Sequence, residues 1–111
     1  MRLALSPADA RQWLRLRQLR VQRARQALVQ AQAEEARAQA VVDERQGRIE
    51  HNRSRLAELA QRWSGAGSVD MPRWGDQLKI HRAALADRLE RDEYALLDEQ
   101  ETLDQAQAAV A

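Results

Sequence analysis

A seven-residue apolar repeat constrains this chain more than any other feature. From residue 14 to residue 63 every seventh position reads Leu14, Val21, Leu28, Glu35, Val42, Ile49, Leu56 and Trp63, and all but Glu35 are large and apolar. Three residues after each of the first seven come Arg17, Ala24, Ala31, Ala38, Arg45, Asn52 and Leu59, a second column of mostly small or polar residues. Seven residues are close to two turns of 3.6, so the two columns form one narrow seam along one side of a long helix. A seam of that length is not stable in water, and it demands a partner helix. The chain reads as a coiled coil.

Composition agrees. With no Phe, no Cys and four aromatic residues in 111, the chain lacks the bulk for a thick globular core, and its abundant Ala, Arg, Gln and Glu suit long helices. The absence of Cys removes disulfides, thiolate metal sites and thiol nucleophiles, and is compatible with a reducing cytoplasm. No run of about 18 apolar residues is present, so no membrane span is expected. The stretch Met1-Arg2-Leu3-Ala4-Leu5 is too short for the apolar region of a signal peptide.

Residues 1–111 are read as a single helical hairpin. Ser6-Pro7-Ala8-Asp9 has the order of a helix start, with Ser6 as cap, Pro7 at the first helical position and Asp9 completing a box-like pattern. Ser64-Gly65-Ala66-Gly67-Ser68 stops that helix, with Gly65 or Gly67 free to take a left-handed cap, and Asp70 and Pro72 mark a second start. Helix one is therefore expected over about 7–64, the loop over about 65–71 and helix two over about 72–111. Helix two carries its own stripe of Leu78, Leu85, Leu89, Leu96, Leu103, Ala106 and Val110.

Folding one stripe onto the other pairs Leu59 with Leu78, Ile49 with Leu89, Val42 with Leu96, Glu35 with Leu103 and Leu28 with Val110. The paired numbers add to 137 or 138 throughout, as an antiparallel register requires. The fold class expected is all-α, a long antiparallel two-helix coiled-coil hairpin with helix 1 longer than helix 2. Glu35, Arg45 and Asn52 interrupt the seam, a use of polar residues that sets register. Outside the seam, Glu44–Arg48, Glu58–Arg62, Asp87–Arg91 and Arg88–Asp92 are spaced as surface ion pairs, and Asp43-Glu44 and Asp92-Glu93 read as solvated faces.

Helix two runs out opposite residue 27 in this register, leaving residues 7–27 of helix one projecting. The charge is divided to match: residues 1–30 hold seven Arg and one Asp, whereas residues 85–111 hold two Arg and eight Asp or Glu. An exposed helix carrying Leu14 and Val21 together with Trp13, Leu16, Arg17, Leu19, Arg20 and Arg23 has the composition of a protein-binding surface, and the last six are the candidate partner-binding residues. Trp63, Met71 and Trp74 gather near the hairpin tip as a second candidate contact.

Catalysis finds no support. His51 and His81 are lone histidines without a ligand set, the serines have no triad context, and Gly65-Ala66-Gly67 lacks the Lys-Ser/Thr of a phosphate loop. No cofactor or metal is implied, and the chain reads as not an enzyme. Nucleic acid is a disfavoured partner for the basic helix, because the apolar seam continues through it and the acidic end competes for its arginines.

Leu16-Arg17-Gln18-Leu19-Arg20, running into Arg23-Ala24-Arg25-Gln26-Ala27-Leu28 and Ala-rich repeats, a short polar loop and an acidic second helix, resembles the central-stalk proteins of type III secretion, the FliJ/YscO-like family. The shortness of the chain and its few aromatics point to the virulence branch. The resemblance implies a cytoplasmic bacterial protein at the base of a secretion apparatus, without catalytic activity. It also implies that the end bearing both termini enters the pore of the hexameric type III export ATPase and stimulates hydrolysis. The body would reach toward an export gate protein, and secretion chaperones are further implied partners. The competing reading is a structural coiled-coil adaptor or scaffold that self-associates as a homodimer of hairpins.

Overall fold

The structure, a computed structural model, describes residues 6–65 and 71–111, with side chains described at 6–62 and 75–111. Two helices account for it, α1 over Pro7–Gly65 and α2 over Met71–Val110. The α1 start is fixed locally: the Asp9 backbone N–H donates to Ser6 Oγ at 3.1 Å, and the Ala10 N–H donates to the Ser6 carbonyl at 2.9 Å. Ser6 thus satisfies a backbone donor that the first turn leaves without a helical acceptor. At the other end α1 takes in Gly65, and no glycine among the described residues has a positive φ, so the left-handed cap considered for Gly65 is not formed there. Gly67 and the rest of the expected loop, residues 66–70, lie outside the described residues.

The helices lie against each other as a hairpin, all-α, with α1 at 59 residues and α2 at 40. A compact 111-residue domain would have a radius of gyration of about 13 Å. The observed 28.2 Å, with a cross-section of 16 by 15 Å, belongs to a two-helix rod. Its interior is a single seam. Val42, at 2% exposure, Ile49, Leu85 and Leu103 are buried, and Leu56, Leu59, Leu78, Leu89, Leu96 and Ala106 are half-buried along the same line. Leu59 and Leu78 line one cleft with Lys79 and Arg82, in keeping with the expected pairing at that level.

Two expectations are corrected. Leu28, placed opposite Val110, is exposed, and residues 11–30 are exposed throughout; the first shielded seam residue is Ala31. Side chains lean toward the N-terminus of their own helix. Val110 therefore leans toward the tip of the hairpin while Leu28 leans away from it, and the projecting segment extends to residue 30. The second correction concerns Asp92, read as part of a solvated face and as an outward partner of Arg88. It is buried at 8% exposure and turned into the seam, where Arg45 meets it. Of the expected surface pairs, Arg48–Glu44 forms at 2.7 Å, and Arg53 makes a cross-helix pair with Glu93 at 2.9 Å.

Candidate functional site

Two places on this rod depart from a plain apolar seam. The first is an ionic cluster at mid-length. Arg45 Nη1 donates to Asp92 Oδ1 at 2.8 Å, Arg45 Nη2 donates to Glu99 Oε1 at 2.7 Å, and Arg45 Nε is shared between the two Glu99 oxygens at 3.1 and 3.2 Å. The guanidinium fork grips Glu99 along one edge and reaches Asp92 with the other arm, the geometry that makes arginine suited to carboxylates. These bonds, to Glu99 first and then Asp92, hold the guanidinium pKa above its ordinary value. Asp92 and Glu99 are one heptad apart, so Arg45 sits between their levels and fastens α1 to α2 in register. What the described contacts show is a clamp, one guanidinium on α1 holding two carboxylates on α2.

The second place is the projecting segment of α1, residues 7–30, about 36 Å of helix at 1.5 Å per residue. Trp13, at 58% exposure, Leu14, Leu16, Leu19 and Val21 are all open to solvent. Counted in heptads, Leu14, Val21 and Leu28 stay in phase with the seam positions Val42 and Ile49 farther along, whereas Leu16 and Leu19 lie about 160° and 140° around the helix from Leu14. A shallow groove runs along each side, one bordered by Leu14, Arg17, Val21 and Arg25, the other by Arg11, Arg15, Leu16 and Leu19.

At 100° per residue the six candidate partner-binding residues share one broad exposed face, an arc of about 160° running from Arg17 through Trp13, Arg20, Leu16 and Arg23 to Leu19. Trp13 and Arg17 are together, with the guanidinium carbon 5.8 Å from the ring centroid in cation–π range, and Arg20 follows on the same flank. Leu16, Leu19 and Arg23 continue that face on the side away from Leu14 and Val21. Among the described residues every ion pair lies at Glu44 or beyond, so no described acid pairs with the segment's arginines. The side chains of the tip candidates Trp63, Met71 and Trp74 lie outside the described residues.

His51 and His81 are both exposed, and among the described residues no group of three or more His, Cys, Asp or Glu is arranged to hold a metal ion. No described helix is long and apolar enough to cross a membrane. Sequence reasoning missed Asp92 and Glu99 as seam residues. The signal was a second heptad column on α2, Leu78, Leu85, Asp92, Glu99 and Ala106, whose period is hidden by its two acids. It also missed the outward face of α2, where Tyr94 and Leu97 are exposed among acidic side chains.

No family model matches the chain, and neither a curated protein nor a solved structure matches it.

Proposed function

We propose that this protein is a non-catalytic coiled-coil stalk, working by inserting its basic helix into a larger protein assembly, and that the assembly is the hexameric ATPase of a type III export apparatus. The observation that carries the reading is the projecting α1 segment. It has apolar residues on opposite sides with arginines between them, and among the described residues no acid forms an ion pair with any of these arginines. A helix that needs one neighbour carries one apolar stripe; a helix with stripes on two sides suits surroundings that enclose it, as a ring pore does. The rigid hairpin behind it would transmit position along its length, toward an export gate protein or chaperones, without any chemistry of its own.

The test is a titration of the chain into the purified export ATPase from the same source, following ATP hydrolysis and ring formation. Stimulation saturating near one chain per six ATPase subunits is the expected result. Trp13→Ala combined with Arg17→Ala should abolish it while the circular dichroism of the hairpin is retained. If the double substitution binds as before, the projecting segment is not the contact. If the helical wild-type chain neither binds nor stimulates, the stalk reading is wrong.

A further inference from the structure

We propose that two copies of this chain pair antiparallel, each laying its projecting α1 segment along the outward face of the other's α2. The inference rests on two surfaces of this molecule and not on the stalk reading. One is the α1 segment, whose seam-side stripe of Leu14, Val21 and Leu28 runs in unbroken heptad phase with the buried seam beyond Ala31. The other is the outward face of α2, opposite its seam. There Asp87, Glu90, Tyr94, Leu97, Glu101 and Asp104 recur at alternating steps of three and four, a second heptad stripe on a helix whose first is already used. Tyr94 and Leu97 are 65% and 67% exposed, and the four acids beside them are exposed and take part in no ion pair.

The two surfaces match in charge, in length and in direction. Residues 1–30 carry seven Arg against one Asp, and residues 85–111 carry eight acids against two Arg. Residues 7–30 and residues 87–110 each span about 36 Å as helix. The chain cannot bring them together by itself, because the α1 segment points away from its own α2 along one continuous helix. A second copy turned end for end can. With the Val110 ends of the two α2 helices meeting at a two-fold axis, α2 of each copy lies between its own α1 and the other copy's α1 segment.

The seam side of α1 then faces a helix along its whole length, its own α2 from Ala31 onward and the other copy's α2 before that. Stepping along that register sets Arg11 level with Glu90, Leu14 beside Tyr94, and Arg25 level with Asp104, each on the other copy. Both contacts are equivalent, as an isologous dimer requires. Pairing of the two α1 segments with each other is opposed by their charge, since each carries six arginines between residues 11 and 25. A chain paired through α2 has its α1 segment occupied, so an assembly that takes that segment competes with the second copy.

Charge exchange tests this. One variant carries Arg11→Glu, Arg17→Glu and Arg25→Glu; the other carries Glu90→Lys, Glu101→Lys and Asp104→Lys. All six positions are exposed, and circular dichroism confirms that each variant stays helical. By sedimentation equilibrium at low salt the wild type should have twice the 12.7 kDa chain mass, and should dissociate as salt rises. Each variant alone should be monomeric, since both of its contacts would set like charges together. Mixed, they should form a one-to-one dimer, because both contacts are then complementary. A wild type that stays monomeric at every concentration, a variant that dimerises alone, or a mixture that stays monomeric overturns the proposal.

Discussion

Arg45 is the residue on which the hairpin's register turns. Its charge is matched by Asp92 and Glu99 together, and Asp92 has little access to water, so removing the guanidinium would leave a shielded carboxylate without its donor. Arg45→Ala should therefore destabilise the hairpin by about 2 kcal/mol, below the fully buried case because water still reaches the edge of the cluster. Replacing Arg45, Asp92 and Glu99 all by Leu should restore or exceed wild-type stability, since ion pairs withdrawn from water rarely outperform well-packed apolar side chains. Urea titration of the two variants checks both directions, and a single substitution no worse than the triple one would refute the account. Register specificity should suffer in the triple variant, because an all-apolar seam accepts slips of a heptad. The sign of the pKa shift fixes the pH response from the arginine side. A guanidinium raised above its ordinary range contributes its stabilisation at every pH below that range and loses it only as pH rises through the raised value. Arg45 thus stays charged at neutral pH and well into the alkaline range.

At the scale of the helices, α1 spends some stability on Gly47. The position is exposed, lies inside the helix with no positive φ, and a Cβ built there meets nothing within 4 Å. Gly47→Ala should stabilise the hairpin by about 0.7 kcal/mol, by narrowing the unfolded ensemble and adding helix propensity. Thermal melting followed at 222 nm checks it, and a lowered midpoint would mean that the site has a neighbour this structure lacks. The same elements show what the amino-acid sequence could and could not convey. The stripe from Leu14 to Leu56 and the column Leu89, Leu96, Leu103 and Val110 were readable because large apolar residues at a period of seven have no other economical use. The column through Leu78, Leu85, Asp92, Glu99 and Ala106 was not, because an acid at a seam position looks like surface until a partner is known. Arg45 could be read as a seam residue from helix one alone; its partners needed the fold. Leu28 failed for a subtler reason, since spacing fixes which residues share a level but not which way their side chains lean at the end of α2.

On the scale of the whole molecule, the chain divides into a paired rod and an unpaired helix that is covalently continuous with it but energetically almost separate. Residues 11–30 are exposed throughout, and the ion pairs and buried apolar side chains lie beyond them. A helix segment without tertiary contacts frays and re-forms independently of a packed unit, so its loss should leave the cooperative transition of the rod in place. Deleting residues 1–27 should change the free energy of unfolding by no more than about 0.5 kcal/mol at concentrations where the full chain is monomeric. Helical signal should fall roughly in proportion to the helix removed. At high concentration the two chains should part company: the full-length transition should move upward with concentration, as it does for any folded state stabilised by association, while that of the truncated chain should not. A truncated chain that unfolds much more readily when dilute would show that the segment folds back onto its own rod. In that case the arginines between residues 11 and 25 would already be committed within the chain, and neither a second copy nor a ring would find them open.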